Sequence, residues 1–245
     1  DATLEYTSYG LHLIYSPSYD IKLYEYREDA VKQMPDEWKQ EEHYESIKDE
    51  NGCVIEDGVL IRYYTVDKEL TIPDNVTIIG SAVIVTELED IDKLTIPGSV
   101  KRLEKSAFNE TPIRHIVMEE GVEEIGEYAF AHANHVSGVY IGKNCRSIKK
   151  NAFHKTTHTV LGKNEHGAIT EDSCEYLGIR KYYISPSVQD IAQDIFDGDW
   201  CEDGVFYENV IVGGEIGSAI WEYCNKCDIK FLEVKEEDAE AFLAT

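Results

Sequence analysis

LTIPGSVKRLEKSAF (residues 94–108) is followed by IVMEEGVEEIGEYAF (116–130) and VYIGKNCRSIKKNAF (139–153), so equivalent positions lie 22 and then 23 residues apart. A fixed period in this range is typical of one supersecondary unit stacked on copies of itself. No single copy can enclose its own apolar side chains, so each coil must bury them against its neighbours. The stretch therefore predicts a solenoid with one continuous core.

The aligned copies place apolar residues in fixed columns. The first two columns lie two residues apart, which is the spacing of a strand that shows one face to a core. Gly80 and Gly126 stand just past the fourth column, where we expect a bend with positive φ. Each coil is therefore predicted to contain a strand, a tight corner, a short second strand and an Ala-Phe turn. The columns are Leu70, Leu94, Ile116, Val139, Tyr182 and Val210; Ile72, Ile96, Met118, Ile141, Ile184 and Val212; Val76, Val100, Val122, Cys145, Val188 and Ile216; Ile79, Leu103, Ile125, Ile148 and Ile191; Ala107, Ala129 and Ala152; and Phe108, Phe130, Phe153 and Phe196.

The pattern L-x-I-P-x-x-V-x-x-I-G-x-x-A-F resembles the leucine-rich repeats of BspA-type bacterial surface proteins, over about residues 58–231. The resemblance implies a leucine-rich-repeat solenoid, right-handed and curved, that is mostly β with short helical turns. It also implies a role in binding, because some members of that family are adhesins. The cell surface is the compartment that the resemblance favours.

Residues 1–57 do not follow the repeat. Residues 21–26 alternate as a strand does, residues 11–15 are expected to pair with them, and a helix is expected to begin at Asp36 after Pro35. An array end exposes an open core that natural repeat proteins cover, so this segment is predicted to be a small α+β N-terminal cap. A separate domain that carries the activity is the alternative.

The solenoid itself is predicted over residues 58–232. The gap between the copies at Val139 and Tyr182 is 43 residues, about two periods. VLGKN (160–164) echoes YIGKN (140–144) within that gap. We therefore expect a degenerate coil near residues 159–181.

The C-terminal end shows a different pattern. A short helix capped by Ser218 and a closing strand predict a C-terminal cap at residues 218–231, and residues 233–245 are predicted to form an acidic helical tail. Gly213 and Gly214 precede this helix. Their spacing does not fit a dinucleotide fingerprint, so no nucleotide site is expected.

The formal net charge is −25, from 48 acidic and 23 basic residues. Such a charge repels nucleic acid and anionic membrane surfaces, so we expect neither as a partner. No run reaches the roughly 18 apolar residues that membrane insertion needs. The absence of an initiator Met and of a leader is expected of a processed chain or a recombinant fragment, which leaves the export route open. The oligomeric state is open as well.

Six scattered cysteines are too few for a disulfide framework in a chain of 245 residues. Cys145 stands in a valine column and is expected to pack in the core. Cys224 and Cys227 form a C-x-x-C pair without a second ligand pair, so a structural role is favoured over zinc binding or redox chemistry. The thiols favour a reducing interior, against the cell surface that the resemblance favours.

Catalytic motifs are absent: the sequence has no G-x-S-x-G, no H-E-x-x-H, no P-loop and no calcium loop. The sequence is therefore predicted to be non-enzymatic and to need no cofactor. His135 and His158 each follow a phenylalanine by five residues, in adjacent coils. Strands of adjacent coils lie about 4.8 Å apart, so these two histidines are weak candidates for a metal site, against a solvated edge.

The outward side of the first strand is the predicted binding surface, because repeat solenoids usually bind there. Exposed aliphatic and aromatic residues on this ladder are typical of a partner site, although such residues also simply suit strands. We expect Tyr140 and Tyr183 to be the anchors of a protein or glycan partner. An enzymatic or metal-dependent module built on the histidine loops is the alternative function. The central column is Thr71, Thr95, Val117, Tyr140, Val160, Tyr183 and Ile211, and the predicted binding residues are Val117, Tyr140, Tyr183, Ile211, His115 and Lys181.

Overall fold

The computed structural model describes residues 4–7, 10–13, 36–86, 88, 90–133, 135–154, 156, 160–163, 169–175, 180–196 and 210–244. The chain divides into two compact units, residues 1–43 and residues 44–245. The second unit contains the repeats.

The first unit contains a hairpin and most of a helix. Strand β1 (Leu4–Thr7) pairs antiparallel with β2 (Gly10–Leu13), and helix α1 is Asp36–Ile47. The start of α1 after Pro35 confirms the prediction. The predicted partner of β2, residues 21–26, lies outside the described residues, so that pairing and the capping role of residues 1–57 stay predictions.

The second unit consists of short strands that alternate between two sheets. Most coils give one longer strand to the first sheet and a two-residue strand to the second. In chain order its elements are β3 (Cys53–Glu56), β4 (Val59–Tyr64), β5 (Glu69–Thr71), β6 (Ile78–Ile79), β7 (Ile84–Val85), β8 (Ile91–Ile96), β9 (Arg102–Leu103), β10 (Ile113–Met118), β11 (Glu124–Ile125), β12 (Gly138–Ile141), β13 (Ser147–Ile148), β14 (Val160–Lys163), β15 (Ile169–Glu175), β16 (Arg180–Ile184), β17 (Asp190–Ile191), β18 (Val210–Gly214), α2 (Ala219–Lys226), β19 (Lys230–Glu233), a 3-10 turn (Glu236–Asp238) and α3 (Ala239–Ala244).

Both sheets run along the array. The first has the order β5-β8-β10-β12-β16-β18-β19, and its neighbouring strands are parallel. The second has the order β3-β4-β6-β9-β11-β13-β17, with β7 also paired to β4; among the described strands of this sheet, only β3 runs antiparallel. This arrangement confirms the predicted solenoid.

The predicted columns form one hydrophobic cluster. The ring column is a stack: the centroids of Phe108 and Phe130 are 5.2 Å apart, and those of Phe130 and Phe153 are 5.5 Å apart, with the rings nearly parallel in both pairs. Phe196 continues the stack 6.0 Å from Phe153. Cys145 is fully buried in its valine column, as predicted. The repeated residues therefore do point into a shared interior.

The Ala-Phe turn has a left-handed residue just before the alanine. Ser106, Tyr128 and Asn151 have φ of 58°, 55° and 57°. This conformation aims the turn amides at the next coil: the Phe108 amide donates to the Ala129 carbonyl at 2.7 Å. The turn therefore extends the hydrogen-bond ladder where no strand is present.

The prediction of positive φ at Gly80 and Gly126 is wrong, because positive φ occurs two residues later instead. These glycines serve close packing between coils. A Cβ on Gly126 would lie 2.5 Å from the Leu103 carbonyl oxygen, and one on Gly80 would lie 2.8 Å from that of Leu60. Glycine is needed there for space rather than for its backbone freedom.

The predicted degenerate coil near residues 159–181 is also wrong. Strands β14 and β15 form an antiparallel hairpin that belongs to neither ladder. Strand β12 pairs directly with β16, so Val160 does not enter the outward column. The echo of YIGKN in VLGKN reflects a strand in both segments, a pattern that an antiparallel pair shares with a coil.

The helix and the closing strand expected at the C-terminal end are present, whereas their role as a cap stays a prediction. Ser218 caps α2 by accepting a hydrogen bond from the Trp221 amide, and β19 closes the first sheet. Cys224 is buried in the core, in line with a structural role. Ile216, however, is 59% exposed, so its place in the valine column was wrong.

Candidate functional site

The strand face, meaning the outward side of the first sheet, carries the predicted column in register. Parallel pairing brings Tyr140 directly beside Tyr183, and their rings stack with centroids 5.4 Å apart at 11°. The two predicted anchors therefore form one aromatic surface. The column in spatial order is Thr71, Thr95, Val117, Tyr140 and Tyr183.

The register beyond Tyr183 differs from the prediction. Ile211 pairs with Lys181, and Gly213 rather than Ile211 continues the central column. The prediction placed Val210 beside Tyr182 because it matched aliphatic residues in every copy. In the structure Val212 pairs with Tyr182, so the predicted register of β18 was off by two positions. The structure instead puts glycines where earlier coils have side chains, because other groups occupy that space.

Exposure changes along the strand face. Thr71 is exposed and Val117 and Tyr140 are half-buried, whereas Tyr183 is fully buried and Ile211 is 7% exposed. The expectation that the whole column faces solvent is therefore wrong at its C-terminal half. The predicted acidic tail packs over Tyr183, a contact that we did not predict.

We call residues 234–244 the strap. They comprise the two residues after β19, the 3-10 turn and α3. The strap buries its apolar residues on the tyrosine stack and forms a second small cluster there. The members of this cluster are Tyr183, Val234 and Ala239, with Tyr140, Phe242 and Leu243 packed against them.

Polar contacts hold the strap at both ends. The Lys181 ammonium donates to the Phe242 carbonyl at 2.9 Å and lies 5.5 Å from the centre of the Phe242 ring. The Tyr140 hydroxyl donates to a Glu236 carboxylate oxygen at 3.3 Å, and the Lys143 ammonium lies 3.0 Å from the other oxygen. These groups fix the strap against the ladder in one position.

Gly213 forms a socket for the strap. A Cβ at this position would lie 2.9 Å from Phe242 Cε1 and 3.0 Å from Val234 Cγ2. Any side chain here would push the ring of Phe242 away from the sheet. Gly213, which interrupts the column, therefore allows the strap to pack against the sheet.

A cavity of about 590 Å³ lies between the strand face and the strap. Gly98, Val117, Tyr140 and Leu243 supply its less polar wall. The nearby Lys143 is already shared between Glu120 and Glu236, at 3.4 Å and 3.0 Å. The cavity therefore has a negative rim and an apolar wall. The carboxylates of the rim are Glu119, Glu120, Glu236, Glu237 and Glu240.

Burial and charge shift the titration of the groups at this site. Burial first, and then the Glu236 carboxylate, raise the pKa of Tyr140 above its ordinary value. The same two causes raise the pKa of Tyr183 further. Hydrogen bonds to Glu236 and Glu120 raise the pKa of Lys143. The tyrosines therefore stay neutral and Lys143 stays charged across the physiological range.

The flanking predictions have separate outcomes. His115 is exposed, and its ring lies against Gly138, with Nδ1 3.1 Å from the Asp92 carbonyl oxygen and Nε2 3.2 Å from the Ser137 hydroxyl. Lys181 is half-buried and holds the strap. One flanking residue thus faces solvent and the other already has an intramolecular role.

Of the two metal candidates, only His135 lies in the described part of the chain, so their pairing stays a prediction. His135 Nδ1 hydrogen-bonds to Asp90, which also accepts a 2.7 Å bond from Arg114. No group of three or more His, Cys, Asp or Glu residues suited to a metal ion occurs among the described residues. His158 lies outside them. His135 thus forms part of a charged edge with Asp90 and Arg114.

Sequence reasoning missed Glu236, Phe242 and Gly213. A signal existed, because Ala239, Phe242 and Leu243 are spaced i, i+3 and i+4, which is the pattern of a helix with one apolar face. The high charge of the tail masked that pattern.

Comparisons with known proteins agree with this architecture. The sequence matches the BspA type leucine rich repeat region, with six copies over residues 63–162 and 87–203, more than half of the chain. The chain therefore belongs to the BspA-type leucine-rich repeat family, which places it among protein-interaction or adhesion modules. No curated protein matches it.

One similar solved structure is the crystal structure of the pneumococcal vaccine antigen PcpA. It is 17% identical, with a TM-score of 0.42, and the match covers 70% of this chain. This chain spans about 50% of the length of that one. Within the described residues, no helix has both the length and the apolar character needed to cross a membrane.

Proposed function

We propose that this chain is a non-enzymatic interaction module that binds a partner protein through the part of the strand face that the strap leaves uncovered. The observation that carries the proposal is the cavity at the edge of that part, where Val117 and Tyr140 meet the strap. Repeat arrays bind through such faces because neighbouring coils present aligned side chains over a long surface.

The chemistry of the cavity indicates a cationic partner group. Five glutamates line it, and Lys143 contacts only two of them. A lysine or arginine side chain would lay its aliphatic stem on Val117 and the Tyr140 ring and keep its charge among the carboxylates. A basic segment of a protein therefore fits better than a neutral glycan, which would gain nothing from this charge.

The uncovered ladder extends the site beyond the cavity. Thr71 and Thr95 continue the column from Val117 towards the first coils. Thr71 is exposed and Thr95 is half-buried. An extended peptide could run along this column with one cationic side chain in the cavity, and the net charge of −25 would steer it there.

Binding to an array of labelled peptides that vary in Lys and Arg content tests this function. The informative variant is Val117→Lys, which removes the apolar wall and places a competing cation in the cavity. Ile78→Lys is the matched control, because Ile78 is also a half-buried outward residue, on β6 of the second sheet.

We expect the wild type to select peptides with at least one Lys or Arg beside an aliphatic residue, with affinity that falls as salt rises. Val117→Lys should weaken this binding about tenfold or more, and Ile78→Lys should leave it unchanged. Equal binding to both variants, or selection of peptides without a cation, would refute the proposed site.

A further inference from the structure

The strap hides the most aromatic part of the strand face, which is the part best suited to a partner. Tyr183 is fully buried, and apolar residues of the strap pack against it. The contact has the parts of a ligand site: a socket at Gly213, a cation that binds a helix carbonyl, and a hydroxyl and an ammonium that bind one carboxylate.

Several features make this cover weak. Helix α3 has six residues, too few to be stable without its docking contacts. The strap carries four carboxylates and lies against a strongly acidic protein; they are those of Glu236, Glu237, Asp238 and Glu240. Val234 and Ala239 are buried, but Phe242 and Leu243 are only half-buried, so part of the apolar surface of the strap stays exposed while it is docked.

The cover also leaves a polar group unsatisfied. The Tyr183 hydroxyl is buried and has no hydrogen-bond partner among the described residues. A buried hydroxyl without a partner disfavours the state that buries it, and water would satisfy it once the strap lifts. The strap therefore fits the site well enough to occupy it but not as well as a ligand could.

We propose that the Tyr140–Tyr183 patch is a binding site for a short acidic amphipathic helix, and that the strap is its resident intramolecular ligand, which an incoming helix of the same chemistry displaces. Such a helix needs an aromatic residue for the Gly213 socket, a carboxylate for Tyr140 and Lys143, and a carbonyl within reach of Lys181. The inference takes from the proposed function only the premise that partners use the strand face.

The test uses two full-length variants that add the same charge at adjacent positions of the strap. Phe242→Asp removes the ring from the socket, whereas Ala241→Asp adds a carboxylate at an exposed position. Hydrogen exchange followed by mass spectrometry reports on residues 236–244 and, as a folding control, on the coils from Leu94 to Phe153. A fluorescent peptide with the sequence of residues 232–245 reports on the vacated patch by fluorescence polarisation.

We expect the strap amides of Phe242→Asp to exchange about tenfold faster or more, with the coils unchanged, and those of Ala241→Asp to match the wild type. The peptide should bind the Phe242→Asp variant saturably and the wild type about tenfold more weakly, because the tethered strap competes at high effective concentration. A peptide carrying the same Phe→Asp change should not bind.

Unchanged exchange in Phe242→Asp would overturn the proposal, as would equal or absent peptide binding to variant and wild type. None of these measurements involves a cationic partner. Cationic peptides can therefore fail to bind while strap displacement is confirmed, and strap displacement can fail while cationic peptides bind.

Discussion

Replacing each stacked tyrosine by phenylalanine should shift the strap equilibrium in opposite directions. Tyr140 and Tyr183 lie side by side with parallel rings, yet only the Tyr140 hydroxyl has a partner, Glu236. Tyr140→Phe removes a hydrogen bond that exists only while the strap is docked. Tyr183→Phe removes a hydroxyl that is unsatisfied only while the strap is docked. The first change should therefore loosen the strap and the second should tighten it.

The structure sets the size of each effect. The bond from Tyr140 to a carboxylate is half-exposed and 3.3 Å long, so its loss should cost about 0.5–1 kcal/mol. Relief of the buried Tyr183 hydroxyl should contribute about 1 kcal/mol, the lower end of the cost of an unsatisfied group. With a factor of ten for each 1.4 kcal/mol, strap opening should rise about two- to fivefold in Tyr140→Phe and fall about fivefold in Tyr183→Phe.

Hydrogen exchange of residues 236–244 measures both changes, with the amides of β8 and β10 as an internal reference. Both substitutions keep the ring, so the stack and the ladder should not change. The reasoning is refuted if the two variants shift exchange in the same direction, or if Tyr183→Phe speeds it.

Three further outcomes follow from the fold. Gly126→Ala should lower the free energy of unfolding by about 1–3 kcal/mol in urea denaturation, because its Cβ would lie 2.5 Å from a carbonyl oxygen, whereas Gly98→Ala, whose nearest such contact is 3.5 Å, should be nearly neutral. Hydrogen bonds from His135 and Arg114 lower the pKa of Asp90, so its stabilisation is present above the ordinary Asp pKa of about 3.9 and is lost as pH falls through the lowered folded value; the difference in Tm between wild type and Asp90→Asn should shrink on acidification through that value, and a difference that stays constant on acidification would contradict this. Burial raises the pKa of the Cys145 and Cys224 thiols to about 12, so iodoacetamide at pH 8 should alkylate them at least about a hundredfold more slowly in the folded chain than in urea.

The repeating part of the fold could be predicted because every coil faces the same physical demand. Each strand must turn an apolar side chain to its neighbours, so Leu94, Ile116 and Val139 occur in one column and are buried in it. The aromatic column behaved in the same way, with Phe108, Phe130 and Phe153 in one stack.

Predictions from the sequence were wrong where the chain departs from repetition. The pair β14–β15 occurs where a coil was predicted, and β18 has glycines where the prediction expected aliphatic residues, so its predicted register was off by two residues. The strap was missed for a related reason. Tyr140 and Glu236 are 96 residues apart in sequence, and nothing periodic links them. Of the site, the order of Val117, Tyr140 and Tyr183 could be read from the sequence, whereas the partial cover over them could not.

The strap belongs both to the cavity and to the covered patch, and this links the two proposals. Glu236, Glu237, Glu240 and Leu243 line the cavity only while the strap is docked. A cationic ligand should therefore stabilise the closed strap, whereas an acidic helix needs it displaced, and linkage requires each ligand to weaken the other by the same factor. Saturating the wild type with a cationic peptide should reduce its affinity for the strap peptide, and in Phe242→Asp, where the cavity has lost its outer wall, this antagonism should disappear. If the two peptides weaken each other equally in Phe242→Asp and in the wild type, they compete for one surface, because the displaced strap could no longer couple two sites.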